Sequence, residues 1–194
     1  NVTGLKNIVA HCQNRLLIYY STDAIFNGIK GNYREADPPD PVNFYGETKL
    51  QGELIVKTLP HYLILRTSFL YDDQLDSPKF IPWLIRNLSQ QKAVNVATDL
   101  TTNPTLIDDL ANATLSLIHK KRLGIYHVAG SSSLSCYNMA LSIAQKWNFD
   151  PSLINPVKRK DLPWKAARAE HATLCIDKLK KEDLKMSTFE EGIE

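Results

Sequence analysis

The hydrophobic positions of the chain follow two spacings, one helical and one continuous. Apolar residues recur at helical spacing from Leu5 to Cys12, and no strand precedes them. Residues 16–20, Leu-Leu-Ile-Tyr-Tyr, form a continuous apolar run, which is typical of a parallel strand buried on both faces. A helix over 42–58 and a second buried strand over 62–66 follow. This alternation predicts βαβ units and a parallel sheet.

The alternation continues through the second half of the chain. Ser135 is placed to cap a helix, and Thr105 with Asp108 has the spacing of a loose capping box. Prolines interrupt residues 150–168, for which we predict irregular structure. The predicted helices cover 78–91, 104–119 and 135–147, and the predicted short strands cover 94–96 and 125–129.

The composition limits the class of protein. The chain has 194 residues, of which 43% are hydrophobic and 23% charged, as in an ordinary globular protein. A net charge of +2 is too small to argue for a nucleic-acid partner. Because the sequence has neither a membrane-length apolar run nor the pattern of a signal peptide, we expect a cytoplasmic protein with no membrane partner.

Neither the cysteines nor the other potential ligands have the spacing of a metal site. Cys12, Cys136 and Cys175 are far apart, so we expect reduced thiols and no disulfide framework. The five histidines lack metal-ligand spacing, and aspartates in loops or at helix starts usually cap the helix or face water. We therefore predict no metal site. The aspartates considered are at positions 72, 73, 76, 108 and 109.

A possible proton-transfer device stands out in the first third of the chain. In a helix, Tyr45 and Lys49 lie one turn apart on the same face. A nearby ammonium favours the phenolate, which lowers the pKa of tyrosine towards the range useful for proton transfer. Thr22, at the end of a predicted strand, is placed to hydrogen-bond the same substrate oxygen.

A Tyr-x-x-x-Lys pair alone is a weak motif, and a solvated helix face would look the same. Gly46 and Gly52 lie inside the predicted helix, where each costs about 1 kcal/mol relative to alanine. Their presence predicts that another part of the protein packs very close to the helix backbone. Residues 21–23 and 67–69 both follow predicted strands, so we expect both segments at one crevice beyond the carboxyl ends of the sheet.

The order of these motifs resembles the extended short-chain dehydrogenase/reductases, and most of all the dTDP-4-dehydrorhamnose reductases. Ser21-Thr22-Asp23, Tyr45-Gly46-x-x-Lys49, and Arg66-Thr67-Ser68 carry the resemblance. Asn103-Pro104-Thr105 and the segment 124–130 extend it over nearly the whole chain. Each motif is weak by itself, whereas their order is specific.

The resemblance implies NADPH- or NADH-dependent reduction of a nucleotide-linked 4-keto-deoxy sugar. It implies that Tyr45 donates the proton, that Lys49 binds the nicotinamide ribose and lowers the pKa of Tyr45, and that Thr22 binds the carbonyl oxygen. Ser21, Thr67 and Ser68 would join Tyr45 and Lys49 in cofactor binding. The residues expected at the sugar nucleotide are Asp23, Phe69, Asn103 and Arg168. A homodimer is a possible assembly.

The resemblance also implies a fold class and a domain plan. It implies the C-terminal part of a Rossmann-like, doubly wound parallel sheet with a small α/β substrate-binding lobe. Residues 1–72 would form the rear half of the Rossmann-like domain, and 73–194 mainly the lobe, with segments near 93–120 returning to the first domain. No G-x-G-x-x-G loop is present, so we expect the dinucleotide-binding repeats to precede this chain and the chain alone to be inactive.

Two alternatives remain open from the sequence. Ala24, Phe69 and Ala169 depart from the reductase pattern where the sugar would bind. Such drift also fits a non-catalytic regulatory subunit with the same fold, similar to the methionine adenosyltransferase β subunit. A sugar-nucleotide epimerase or dehydratase is the nearest enzymatic alternative, although dehydratases usually place an acidic pair after the threonine and here Asp23 is followed by Ala24.

Overall fold

The computed structural model describes residues 2–12, 14–72 and 77–193. It is an α/β protein in which the five predicted helices and four predicted strands occur in the predicted order, with further short elements between and after them. In chain order the elements are α1 (Val2–Ala10), β1 (Leu17–Thr22), α2 (Phe44–Val56), β2 (Tyr62–Thr67), β3 (Leu70–Tyr71), α3 (Phe80–Ser89), β4 (Val94–Ala97), β5 (Thr101–Thr102), β6 (Thr105–Leu106), α4 (Ile107–His119), β7 (Gly124–His127), β8 (Leu134–Ser135), α5 (Cys136–Lys146), β9 (Ile154–Val157), α6 (Asp177–Lys180) and α7 (Phe189–Gly192).

A parallel sheet in the order β1-β2-β7 forms the centre of the molecule. The register pairs Leu17 with Tyr62 at one end and Thr22 with Thr67 at the other. Because the strands are parallel, the loops that follow them meet at one edge of the sheet. The predicted parallel α/β architecture is confirmed.

Helices cover both faces of this sheet. Leu63 and Leu65 of β2 pack with Leu117 of α4 on one face, while Ile64 packs with Val9 of α1 on the other. Alternate residues of one strand thus enter different cores, which explains why residues 62–66 are continuously apolar. Burial of each such side chain stabilises the fold by about 1.5–3 kcal/mol.

A third core forms the lobe. Helices α3 and α5 pack around the parallel pair of β4 and β9, and Leu84, Leu88, Met139 and Ile143 are fully buried there.

Residues 93–120, which are predicted to return to the first domain, divide between the lobe core and the core of the central sheet. Val94 and Val96 of β4 pack in the lobe core, whereas Leu110 and Leu117 of α4 pack on the central sheet. Residues 174–186 also reach the central-sheet core through Leu174, Ile176, Leu179 and Met186. The domain limits at 72 and 73 stay a prediction.

Two local predictions are wrong. Helix α4 has Leu106 as its N-cap, with no side-chain cap, so Thr105 and Asp108 form no capping box. The Thr105 hydroxyl instead donates to the Ser68 carbonyl oxygen at 2.6 Å, because Thr105 is fully buried against that loop. The segment 150–168 was predicted to be irregular, but it contains the strand β9, and Pro156 of β9 lies in a two-stranded sheet.

The predicted cap at Ser135 is confirmed, because the Ser135 hydroxyl accepts a hydrogen bond from the Asn138 amide.

A buried ion pair ties α2 to the central sheet. Arg66 Nε and Nη2 donate to the two carboxylate oxygens of Glu53 at 2.9 and 2.8 Å. Arg66 Nη1 lies 3.4 Å from Nε2 of His127, and Nδ1 of His127 lies 3.2 Å from the Cys175 carbonyl oxygen. Burial lowers the pKa of His127 to about 3 and the nearby arginine acts in the same direction, so the imidazole is neutral.

The described residues include no helix that is long and apolar enough to cross a membrane. Within the same residues, no group of three or more histidine, cysteine or acidic side chains could hold a metal ion. Asp73 and Asp76, which were considered as ligands, lie outside the described residues.

Candidate active site

A cavity of about 430 Å³ opens at the carboxyl edge of the central sheet. It lies where the loops after β1 and β2 meet the start of α2, which is the predicted crevice. Five separate segments contribute to its wall. The lining residues are Thr22, Asp23, Ala24, Asn43, Phe44, Tyr45, Phe69, Leu100, Thr101, Thr102, Ala166, Ala167, Arg168, Ala169 and Ala172.

Asp23 is the centre of a hydroxyl network in this wall. Its Oδ1 accepts a hydrogen bond from Thr22 Oγ1 at 3.0 Å, and its Oδ2 accepts one from Ser68 Oγ at 2.6 Å. Ser68 Oγ also contacts Thr102 Oγ1. Since the Ser68 hydroxyl has one proton and directs it to Asp23, Thr102 is the donor to Ser68. The network joins the loops after β1 and β2 to β5.

The buried position of Asp23 has an electrostatic consequence. Burial raises the pKa of Asp23, while the hydrogen bonds from Ser68 and Thr22 lower it. Both carboxylate oxygens accept hydrogen bonds from hydroxyl groups, so the carboxylate holds Thr22 and Ser68 in fixed orientations. The amide of Ala24 also donates to Thr22 Oγ1 at 3.2 Å.

Tyr45 lines the same cavity from the first turn of α2. Asn43 caps this helix by accepting the Gly46 amide at 2.9 Å, and the Tyr45 side chain is 54% exposed. Within residues 2–12, 14–72 and 77–193, no hydrogen-bond partner of the Tyr45 hydroxyl is found. The phenol is therefore free to meet a ligand.

The two glycines of α2 are in close contact with neighbouring segments, as predicted. A Cβ atom on Gly46 would lie under 3.0 Å from the Ala24 carbonyl oxygen, and one on Gly52 under 3.0 Å from the Tyr19 hydroxyl. Only glycine permits this approach of α2 to β1 and its following loop.

Lys49 lies one turn after Tyr45, and β1 determines its position. Its Nζ donates to the Tyr20 carbonyl oxygen and lies 4.2 Å from the centre of the Tyr19 ring. Burial lowers the pKa of Lys49, and the negative charge of Glu53 opposes this effect. Control of the Tyr45 pKa by Lys49 stays a prediction.

Ser21 and Thr67 each bury a hydroxyl oxygen that has no hydrogen-bond partner in the described part of the chain. Their exposed fractions are 3% and 7%. Ser21 is the next-to-last residue of β1, and Thr67 is the last residue of the neighbouring strand β2. Because a buried unpaired hydroxyl costs free energy, both oxygens fit a polar group from a ligand or from another part of the protein. They are compatible with the predicted contact to a nicotinamide.

The predicted substrate residues occupy different places. Phe69 and Arg168 line the cavity with Asp23, whereas Asn103 does not. Asn103 is buried, and its amide donates to the carbonyl oxygens of Gly130 and Ser132 while accepting the Leu174 amide. Its side chain thus joins three segments of the scaffold, and its contact with substrate stays a prediction.

Two residues of the cavity wall are unusual: Phe69 has a strained backbone, and Arg168 carries a positive charge. Phe69 has φ of 40°, a left-handed conformation that is rare for a bulky side chain. Its carbonyl oxygen accepts the Thr105 amide at 3.0 Å, which fixes this turn. The Arg168 guanidinium lies 4.7 Å from the centre of the Trp164 ring and gives the cavity a cation.

Sequence reasoning missed part of this wall. Asn43 had a usable signal, because an asparagine directly before a helix is a strong N-cap. Thr102, Ala166 and Ala167 had none, since a two-residue strand and an irregular segment leave no periodic pattern, whereas the family resemblance pointed to Arg168 and Ala169.

Comparison with known proteins places the whole chain in one family. The family profile described as "RmlD substrate binding domain" matches residues 1–194. The "Probable low-salt glycan biosynthesis reductase Agl14" of Haloferax volcanii is 33% identical over 189 residues, which are 94% of this chain and 63% of that protein. The methionine adenosyltransferase 2 subunit beta of Pongo abelii is 31% identical over 190 residues, 92% of this chain and 56% of that protein.

A crystal structure supports the same relationship. The dTDP-4-dehydrorhamnose reductase of Bacillus anthracis in complex with NADP matches with a TM-score of 0.92 at 31% identity, covering 100% of this chain and 69% of that one. This chain spans less than two thirds of the length of both curated relatives, at 63% and 56%.

Proposed function

The chain belongs to the RmlD substrate-binding domain family, and from this premise we propose that the whole protein is an NAD(P)H-dependent reductase of a nucleotide-linked 4-keto-deoxy sugar. One observation carries the proposal: Thr22 and Tyr45, which come from different elements, line one cavity at the carboxyl edge of the sheet. A phenol facing the space beside a strand-end hydroxyl can supply the proton that the reduction of a ketone needs, while the nicotinamide would supply the hydride.

In this proposal, Tyr45 delivers the proton. The reduced nicotinamide supplies a hydride when it is bound, and the ketone oxygen then gains negative charge. Tyr45 donates its hydroxyl proton to that oxygen, which makes the alcohol. The Lys49 ammonium, fixed on β1, stabilises the phenolate that remains. Thr22 donates its one hydroxyl proton to Asp23, so it meets the sugar through its oxygen, as an acceptor of a hydrogen bond.

We assign the cofactor to the side of the cavity where β1 and β2 end. The unpaired hydroxyls of Ser21 and Thr67 would bind it, with Lys49 at its ribose. We expect residues 1–194 alone to bind the dinucleotide weakly and to be inactive, because they lack a glycine-rich loop for its pyrophosphate.

The substrate fits the other side of the wall. Phe69 presents an aromatic face and Arg168 a cation, which suit the sugar and the diphosphate of a nucleotide sugar. Ala24, Ala169 and Ala172 leave space there, and this space selects the sugar in the proposed enzyme.

A regulatory subunit without catalysis is the second candidate. It is favoured by the similarity to the methionine adenosyltransferase 2 subunit beta. The ordered Thr22, Tyr45 and Lys49 favour the reductase, because a regulator does not need a proton donor. An epimerase of the same fold would use the same tyrosine but leave no net oxidation of NADPH.

The deciding experiment is NADPH and NADH oxidation by the whole protein with dTDP-4-dehydrorhamnose. We expect turnover in the wild type and its loss in Tyr45→Phe, with cofactor affinity retained. Tyr62→Phe, at the opposite end of β2, is the matched control and should keep its turnover. Cofactor binding without turnover of this or other 4-keto sugars would contradict the reductase and favour the regulatory subunit.

A further inference from the structure

The face of the Tyr19 ring contacts the ammonium of Lys49. Lys49 Nζ lies 4.2 Å from the centre of the Tyr19 ring and donates to the carbonyl oxygen of Tyr20. Consecutive residues of β1 therefore provide both contacts. An ammonium at this distance from the face of an aromatic ring is attracted by the negative potential of that face.

The Tyr19 ring is itself held by α2. Its hydroxyl donates to the backbone carbonyl oxygen of Lys49 at 3.5 Å, and Gly52 leaves the space that the hydroxyl occupies. Burial, with the negative charge of Glu53, raises the pKa of Tyr19 to about 12, so the phenol is neutral near pH 7.

We propose that Tyr19 is a positioning residue for Lys49, and that its ring fixes the ammonium at the place where the reaction needs it. The kinetic part of this inference rests on the proposed reductase function. The position of the ammonium does not rest on that function and is measurable separately.

The molecule contains a matched arrangement away from the cavity. Lys178 Nζ lies 4.0 Å from the centre of the Tyr126 ring and donates to the Ile125 carbonyl oxygen. Both pairs place a lysine over a strand tyrosine and on the carbonyl oxygen of a neighbouring strand residue. Lys49 belongs to α2, which carries Tyr45 at the cavity, whereas Lys178 belongs to α6, which contributes no residue to the cavity wall. Tyr126→Leu is therefore the control for the loss of such a contact, and Tyr126→Phe accounts for the hydrogen bond from the Tyr126 hydroxyl to Glu182.

The first measurement is the chemical shift of the lysine ε-methylene protons in the full-length protein. The ring current of an aromatic side chain shifts protons that lie over its face upfield. We expect Tyr19→Leu to abolish the upfield shift of Lys49, Tyr19→Phe to retain it, and Tyr126→Leu to abolish only that of Lys178. Pentafluorophenylalanine at position 19 keeps the shape of phenylalanine and reverses the potential of the ring face, so it should displace Lys49 even if Tyr19→Leu does not fold.

The second measurement is the pH profile of kcat/KM. We expect Tyr19→Leu to lower kcat/KM by roughly ten-fold, which corresponds to about 1.4 kcal/mol, and to displace the pH profile, because the ammonium of Lys49 is no longer held in its place. Tyr19→Phe should recover most of the loss, and Tyr126→Leu should leave the profile in place.

An unchanged Lys49 shift in Tyr19→Leu and in the pentafluorophenylalanine protein would overturn the proposal. A lost shift with unchanged kinetics would overturn it as well. If the wild type has no turnover, the proposed function fails, and the lysine shift alone decides whether Tyr19 positions Lys49.

Discussion

Gly46 of α2 lies directly against Ala24 of the loop after β1: a Cβ atom on Gly46 would be under 3.0 Å from the Ala24 carbonyl oxygen. Tyr45 precedes Gly46, and Thr22 ends the strand before Ala24. This contact therefore contributes, with the contact of Gly52 on Tyr19, to the distance between the two side chains to which we assign proton donation and substrate binding.

Gly46→Ala should move α2 away from this loop. We expect a loss of about 1–3 kcal/mol in the free energy of unfolding, because overpacking forces a backbone shift, and a larger proportional loss in turnover. Urea denaturation and steady-state kinetics measure the two effects. Gly4→Ala is the control, since a Cβ atom there meets nothing within 4 Å and should stabilise α1 by up to about 1 kcal/mol. Equal behaviour of the two variants would refute the role of the contact.

Asp23→Asn should disturb the two hydrogen bonds that Asp23 accepts, one from the Thr22 hydroxyl and one from the Ser68 hydroxyl. An amide offers one acceptor oxygen, so Thr22 or Ser68 loses its partner. We expect kcat/KM to fall roughly ten- to a hundred-fold, because an unsatisfied buried group costs about 1–3 kcal/mol. Steady-state kinetics of the whole protein test this, with Asp40→Asn on the exposed surface as the control. Full activity of Asp23→Asn would show that Thr22 needs no such support.

Thr67→Val should have opposite effects on stability and on cofactor binding. Removal of an unpaired buried hydroxyl is expected to raise the free energy of unfolding of the cofactor-free protein by about 1 kcal/mol, while the KM for NADPH increases. Thr105→Val is the matched control, because its hydroxyl is hydrogen-bonded and its loss should destabilise the fold. A destabilised Thr67→Val protein would mean that the hydroxyl has a partner in the whole protein.

Arg66→Leu should destabilise the fold strongly, since it removes the bidentate partner of the buried Glu53 carboxylate and leaves only Lys57, whose Nζ lies 3.8 Å from Glu53 Oε2. The expected loss is about 3–5 kcal/mol, measured by denaturant unfolding. Lys30→Met breaks the exposed pair with Asp37 and should have little effect. Replacing Arg66 and Glu53 together by apolar residues should cost less than Arg66→Leu alone, and a strictly additive result would contradict this account.

Because His127 is neutral in the folded protein, we expect the free energy of unfolding to depend on pH. Its pKa is about 3 in the folded protein and about 6.5 when unfolded. The unfolded chain therefore binds the extra proton first, and stability that is present above pH 6.5 is lost as the pH falls towards 3, by about 1.4 kcal/mol per pH unit from this group. Asp23 contributes with the opposite sign, because its folded pKa is raised.

His127→Gln isolates the histidine. Unfolding free energies at pH 7 and pH 4.5 should fall less with pH in this variant than in the wild type, since the carboxylates titrate in both proteins. An identical pH dependence would show that His127 is protonated without cost in the fold.

Much of the fold follows from local patterns. The continuous apolar run before Thr22 predicted β1 because a strand covered on both faces excludes polar side chains, and the two glycines of α2 predicted its close contacts. The Thr105 capping box was wrong because a buried backbone carbonyl, invisible in a sequence window, competes for that hydroxyl. The strand β9 was missed because its partner β4 lies far away in the chain.

The sequence by itself determined the order of five helices and four strands, the parallel sheet and the proximity of the strand ends, since hydrophobic spacing and strand direction depend on neighbouring residues. The tertiary structure alone decided that Asp23 joins Thr22 to Ser68, that the Tyr19 ring contacts the Lys49 ammonium, and that the Asn103 amide joins three segments of the chain. These relationships connect segments distant in the chain, and their hydrogen bonds depend on distances of a few tenths of an ångström that packing sets.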